Sequence, residues 1–350
     1  MTSPNSPEVE EARRDLLQLI ETEHAVVWSE VEAKLTREVK GPTGTVYPHH
    51  LTAAKNQLLY TEGILAATTK TAKGGHDIET FSFTNTAGSK TKIDRAAGRK
   101  RALMARYRGW AHGNRTYPHG LIGPAGESTV RQAIIDAGTL AVSTPGAGEV
   151  TNVLGTTLLG SLDSGGWLPV INRTGLPEGM VYVPIEIKNI RDWIYPTSAE
   201  LYQLLHKAAL LQRGAPEANI MPVLVTRRIN HTLRFLAERL GFKVLALQQQ
   251  YIRSIVEDDD LAEIRSGLGF MDLMKPDDKN SLAALNRFFR KSLAIKALEY
   301  AASWREAVLV HNYDEYFRQL RQPGLRYADR AATMDEFRGA TYNAGLRGGW

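Results

Sequence analysis

Apolar residues recur at helical spacing over positions 9–20, and a second helix is predicted from Ser29, where Ser29 and Glu32 stand at the S-x-x-E spacing of a capping box. Turn-forming residues at 41–44 separate these from a third helix over 48–60, stopped by Gly63. Two runs rich in β-branched and aromatic residues follow at 64–71 and 78–84. Gly74 and Gly75 lie in the connection, which is a hairpin signal. Positions 90–110 are predicted helical because Ile93, Ala97, Leu103, Met104, Tyr107 and Trp110 make an apolar stripe among charged residues. Pro118, Gly120, Gly123, Pro124 and Gly126 then mark a boundary.

Beyond that boundary helix and strand alternate. A helix over 127–137 precedes strand candidates at 150–159, 168–172 and 180–189, then a helix at 198–212, a strand at 220–226, a helix at 230–240 and a strand at 242–247. The simplest solution to this α-β-β-β-α-β succession is an α/β fold with a mixed central sheet flanked by helices. Helical patterns return at 258–266, 281–300 and 313–320, and the acidic run Glu257, Asp258, Asp259, Asp260 fits a helix start, a metal cluster being the alternative. The expected domains are therefore 1–87, a helical connector at 88–122, a core at 123–255 and a helical extension at 256–350. The end of the chain, rich in Arg, Gly and aromatic residues, is left undecided between packing on the core, reaching a partner and remaining unstructured.

With 350 residues, 43% of them hydrophobic and 23% charged, the chain can bury more than one core. It contains no apolar run of the roughly 18–20 residues needed to span a bilayer, and its first residues lack an apolar leader segment, so a cytoplasmic protein without a membrane partner is expected. The absence of cysteine excludes disulfides, thiolate zinc sites and a cysteine nucleophile. A metal must then be held by oxygen or imidazole, which favours hard cations such as Mg²⁺. The nine histidines show no H-E-x-x-H spacing, and no G-x-x-x-x-G-K-[ST] loop is present, against a zinc hydrolase and a nucleotide hydrolase respectively.

Net charge is +5, and its distribution is uneven. Between Gly88 and Gly120 stand nine cations, Lys90, Lys92, Arg95, Arg99, Lys100, Arg101, Arg106, Arg108 and Arg115, against the single acid Asp94. Such a block suits contacts with phosphates, and a solvated helix face is the alternative. In the core, Glu186 and Lys188 interrupt the apolar strand MVYVPIEIKN. Positions two apart in a strand share a face, so this carboxylate and ammonium converge. Burying them is costly unless they are paired or serve a site, and an edge-strand surface pair is the alternative reading.

Three helices and a hairpin within the first 87 residues resemble a winged helix-turn-helix domain. That resemblance implies a third helix presenting His50, Thr52, Lys55 and Asn56 to the major groove of duplex DNA and a wing carrying Lys70 and Lys73, with Arg99, Lys100 and Arg101 of the basic connector on the backbone. A small protein-binding domain would fit the same pattern.

The core succession, with Asp163 in SLDSGG and Glu186-Ile187-Lys188 in PIEIKN, resembles the PD-(D/E)xK, restriction-endonuclease-like nucleases. The resemblance implies that Asp163 and Glu186 hold Mg²⁺ or Mn²⁺, with the Ile187 carbonyl as a further ligand, and that Lys188 orients the attacking water or stabilises the developing charge on phosphorus. Glu127 stands where relatives carry an auxiliary acid, although a helix start favours glutamate anyway. Gln203 stands where some carry a polar group near the active site. Lys207 occupies the position of the tyrosine in the Gln-x-x-x-Tyr of RecB-like members, a departure from that branch. Arg227 and Arg228, at the end of a core strand, are candidates for phosphate contact or for ordinary solvent-facing charge. The implied function is metal-dependent cleavage of double-stranded DNA, in defence or repair, with a homodimer suited to cutting both strands. The alternative is a non-catalytic DNA-binding regulator or scaffold.

Overall fold

The computed structural model describes residues 6–41, 44–72, 74–85, 89–143 and 149–344, and the expected DNA contact of Lys73 lies outside them. The chain divides into two compact units, Met1–Leu121 with Ser254–Leu273, and Ile122–Arg253 with Met274–Trp350.

In the first unit, α1 (Pro7–Glu23) is capped by Ser6, whose Oγ accepts from Val9 N, and buries Val9, Ala12, Leu16 and Ile20 at three- and four-residue spacing. The second helix, α2 (Trp28–Leu35), starts one residue before Ser29, with Val27 as its cap. The expected capping box is therefore absent. Glu32 instead accepts from Trp28 Nε1 at 2.9 Å. Where only a turn was expected, β1 (Arg37–Gly41) and β2 (Gly44–Val46) pair antiparallel. Helix α3 (Pro48–Asn56) continues as a π turn, Gln57–Thr61, and the hairpin β3 (Leu65–Thr71) and β4 (Asp77–Phe83) keeps an unbroken register. Val26, between α1 and α2, bridges Phe81 of β4 antiparallel and so ties the helices to the hairpin.

Helix α4 (Lys90–His112) buries Ala97, Leu103, Met104, Tyr107 and Trp110, five of the six residues of the anticipated stripe. The acidic run forms the start of the helix Asp258–Leu268, where negative charge opposes the positive end of the dipole. Asp260 and Glu263 both pair with Arg106 Nη1 at 2.8 Å. Inside the unit, Glu30 is fully buried and shares its Oε1 between Lys34 and Lys100, while Glu23 bridges the same two ammoniums. Two acids and two lysines make this cluster neutral, the condition under which buried charge is tolerated.

The second unit is an α/β fold built on a mixed five-stranded sheet. Its elements are α5 (Gly123–Ala137), β5 (Ala141–Val142), β6 (Val150–Val153), β7 (Thr156–Leu162), β8 (Ser164–Ile171), β9 (Pro177–Lys188), α6 (Ala199–Gly214), β10 (Val223–Thr226), α7 (His231–Leu240) and β11 (Lys243–Ala246). The sheet order is β11-β10-β9-β8-β5, with β9 central, antiparallel to β8 and parallel to β10. The run predicted as one strand at 150–159 is a separate hairpin, β6 and β7, because Leu154 and Gly155 turn left-handed. Alternation along β9 sends Val181, Val183, Ile185 and Ile187 into the core shared with α5, and Tyr182 into the core shared with α6 and α7. Glu186 and Lys188 follow the parity of Tyr182 and face α6.

The C-terminal part completes the α6 side, where Trp304 stacks on Phe317 and Phe337 meets Phe317 edge-on. The last helix, Tyr327–Asn343, belongs to the packed structure. The helix expected over 281–300 is broken: Ala283–Arg287 runs into a π turn, Phe288–Ser292, and a new helix, Ala297–Leu309, starts after a left-handed Lys296. Lys243 explains how the break is tolerated. Its buried Nζ donates to the carbonyls of Ser292, Leu293 and Ile295 at 2.6–2.9 Å, replacing partners the interrupted helix lost.

Burial pushes the Lys243 ammonium down from its ordinary 10.5 to about 8, whereas the three carbonyls favour the charged form. A base with a depressed folded-state pKa binds fewer protons folded than unfolded between those values, so stability rises with pH across that window. The urea-unfolding free energy of wild type relative to Lys243→Met should therefore grow from pH 8 to 10.5, with a ceiling of about 3 kcal/mol. A flat or falling difference contradicts the assignment. Among the described residues no helix is long and apolar enough to cross a membrane.

Candidate active site

Strands β8 and β9 pair until Ser164 meets Ile185, and the next residues on each side are Asp163 and Glu186. There the ladder stops. Asp163 replaces it with its side chain: Oδ2 accepts from Ile187 N at 2.6 Å. In a strand the N–H and carbonyl of one residue point to the same side, so the Ile187 carbonyl also faces this gap. Gly165 and Gly166 lie within β8 and permit close packing beside it. A Cβ on Gly165 would come within 2.5 Å of Tyr182 Oη, and one on Gly166 within 2.8 Å of the Ala141 carbonyl.

Glu186 is almost fully buried, and its two oxygens have different partners. Lys188 Nζ donates to Oε1 at 2.8 Å, and Lys207 Nζ donates to Oε2 at 2.9 Å and to the Ser161 carbonyl at 2.5 Å. Lys207 lies on α6, so the strand pair predicted from the sequence is completed from another element. On the α5 side, Arg131 Nη1 donates to the Asp163 carbonyl at 3.3 Å and stands 3.6 Å from Glu127 Oε2.

The electrostatics follow from this packing. Burial, then the neighbouring charge of Glu186 and more weakly that of Glu127, raises Asp163 to about 6, against the opposing pull of the Ile187 amide and Lys188. Burial works against the Lys188 charge, but Glu186, Asp163 and Glu200 outweigh it and raise its pKa.

Asn189 fixes the end of β9. Its Nδ2 donates to the carbonyls of Ile122 and Tyr251, and its Oδ1 accepts from Tyr251 N. Gly126 of α5 lies directly against it: an added Cβ would stand 2.3 Å from Asn189 Cβ. Gly126→Ala should consequently lower stability by about 1–3 kcal/mol, read from the urea midpoint at unchanged slope. A variant as stable as wild type would show that Asn189 moves aside without cost.

The structure brings Asp163, Glu186, the Ile187 backbone and Lys188 together, with Glu127 nearby in the second turn of α5, not its first, because the helix starts at Gly123. Gln203 is one turn before Lys207 on α6 and half-buried. The DNA-contact candidates fare differently. His50 is buried and its Nδ1 accepts from Tyr47 N, Thr52 Oγ1 donates to the Pro48 carbonyl, and Lys55 Nζ sits 4.4 Å over the Trp28 ring. On α3 only Asn56 of the four is exposed. Lys100 is enclosed by Glu23, Glu30 and the Gly267 carbonyl. Arg227 is buried and donates to the Arg191 carbonyl, and Arg228 lies 5.4 Å from the Trp193 ring centre. These groups hold the fold together. Arg101 is half-buried with Nη1 on Thr80 Oγ1, while Lys70 and Arg99 are exposed.

Two site residues escaped sequence reasoning as participants. Lys207 was legible as a lone cation in the apolar helical run LYQLLHKAALL, and Arg131 only as the i+4 partner of Glu127. Comparison with family models, with curated proteins and with solved structures finds no match for this chain.

Proposed function

We propose that this protein is a metal-dependent DNA nuclease of the PD-(D/E)xK kind, hydrolysing phosphodiester bonds at Asp163, Glu186 and Lys188. The observation that carries this reading is the meeting of those three side chains where β8 and β9 part. The surrounding order, α5, then β8 and β9 antiparallel, then α6 and a parallel β10, supports it. A winged-helix reading of the first unit draws support from the Val26–Phe81 bridge and the β3–β4 hairpin, and makes duplex DNA the natural substrate.

The donor set fits a hard divalent cation. Among the described residues no three His, Asp or Glu side chains form a metal-ligating group, yet Mg²⁺ is commonly held by only one or two carboxylates with water completing its shell. The Asp163 carboxylate accepts only from the Ile187 amide among the described residues, leaving Oδ1 for a ligand bond, while Arg131 binds the Asp163 backbone carbonyl. Asp163, Glu186 and the Ile187 carbonyl would hold Mg²⁺ or Mn²⁺, which when bound polarises the phosphate and acidifies water. Lys188 carries its charge to the same place, where it can bind a non-bridging phosphate oxygen and stabilise charge developing as water adds to phosphorus and a P–O bond breaks. Lys207 holds the second oxygen of Glu186 and so orients that carboxylate.

A second reading has its own observation: both Glu186 oxygens are satisfied by lysines, as in a purely structural ion cluster. The DNA-binding scaffold without catalysis belongs to this reading. Supercoiled plasmid and linear duplex incubated with Mg²⁺ or Mn²⁺ separate the two. Cutting by wild type that EDTA and Asp163→Ala both abolish supports the nuclease, whereas duplex binding without cutting under either metal supports the scaffold.

A further inference from the structure

On α4 of the first unit, Lys92, Arg95 and Arg99 are spaced by three and four residues and therefore share one helix face. All three are exposed, and among the described residues none has a hydrogen bond or ion pair. They differ in this from Arg106, Arg108 and Lys100 of the same helix, which are engaged by Asp260 and Glu263, by the Asp77 carbonyl, and by Glu23 and Glu30. The three free cations line one cavity of about 440 Å³, closed by Glu23 and His24 at the end of α1 and by Ser266 and Gly267 at the end of the Asp258–Leu268 helix. The one acid in the wall, Glu23, is neutralised by Lys34 and Lys100, and despite burial these hold its carboxyl below the usual range. The cavity thus has cations in excess. An adjoining cavity of about 570 Å³ shares His24 and Lys92 with it, and its walls are apolar at Leu17, Ile20, Ile64, Phe83 and Ile93 and polar at Glu21, Asn85 and Ser89.

We infer that the α4 cavity is a phosphate-binding site for a phosphomonoester of nucleotide size. Lys92, Arg95 and Arg99 would take the phosphate, and the neighbouring apolar walls the body of the ligand. Arginine offers a fork of donors matched to phosphate oxygens, and two arginines one helical turn apart can engage one phosphate together. The site is built only from residues of the first unit, and none of Asp163, Glu186 and Lys188 lines it. A nucleic-acid strand offers the non-bridging oxygens of its phosphodiesters to the same cations, and the test distinguishes the two sources.

The full chain is titrated calorimetrically, in EDTA, with inorganic phosphate, with deoxyadenosine monophosphate and with a short DNA duplex. Wild type is compared with Arg95→Ala, Arg99→Ala, the double variant, and Lys291→Ala as an exposed cation elsewhere. The mononucleotide is expected to bind wild type, to be displaced by inorganic phosphate, and to weaken about tenfold with each arginine removed and about a hundredfold with both, while Lys291→Ala leaves it unchanged. Duplex binding that weakens in the same pattern without any mononucleotide binding retains the phosphate site and makes nucleic acid its source. Mononucleotide and duplex affinities equal in wild type and the double variant, or no binding of either by wild type, overturn the inference. Because binding is read without metal, either result leaves the cleavage test at Asp163 independent.

Discussion

Lys188→Ala is expected to reduce metal-dependent DNA cleavage by about 10²–10³-fold, the usual effect of removing one preorganised group that stabilises transition-state charge. The ammonium is mostly buried and held against Glu186 at 2.8 Å, so its position is set before substrate arrives. Burial opposes its charge, but Glu186, Asp163 and Glu200 outweigh it and raise its pKa, so it stays an ammonium through the neutral range. Lys188→Arg should recover little, because a planar guanidinium cannot occupy a point-charge site between two carboxylates without displacing them. Divalent-cation affinity, measured by calorimetry, should be unchanged or tighter in Lys188→Ala, since the lost ammonium competes for the same oxygens. Wild-type cleavage rates in this variant would remove Lys188 from the chemistry.

The second large effect is on stability. Glu186→Ala leaves Lys188 and Lys207 facing each other in a nearly dry pocket, and removing one member of a buried ion cluster costs about 3–5 kcal/mol. Replacing the whole cluster with Lys188→Met, Glu186→Leu and Lys207→Met should return most of that loss, because three apolar side chains need no counter-charge. Urea unfolding of the two variants in EDTA gives the comparison. A single substitution as stable as wild type would mean that the lysines turn to solvent or lose their protons at little cost, and that Glu186 is held for a ligand more than for the fold.

Much of the second unit is legible in the sequence itself. The strand over 180–189 and the helices over 198–212 and 230–240 appear as β9, α6 and α7 with shifts of only a few residues, because the first two are sustained apolar runs of strand and helix length and the third carries a clear 3.6 period. The misreadings have local causes. The predicted cap at Ser29 failed because Trp28 already turns helical and gives Glu32 another partner. The 150–159 run reads as continuous strand, but Leu154 adopts a left-handed conformation that no periodicity signals. The long helix over 281–300 breaks before the left-handed Lys296, and the break is tolerated because Lys243, some fifty residues earlier, supplies donors to the carbonyls there.

For the candidate site and the basic helix, the division follows the range of the interaction. Sequence alone determined that Glu186 and Lys188 share a face of one strand, that α4 concentrates cations, and that a metal here must be bound without thiolate, since each depends on local period or on composition. Only the tertiary structure decided that Asp163 closes the gap after the β8–β9 ladder, that Lys207 takes the second oxygen of Glu186, and that Lys100 is locked inside while its neighbour Arg99 stays open. Period says which way a side chain leaves its own element; what it meets depends on packing between elements far apart in the chain.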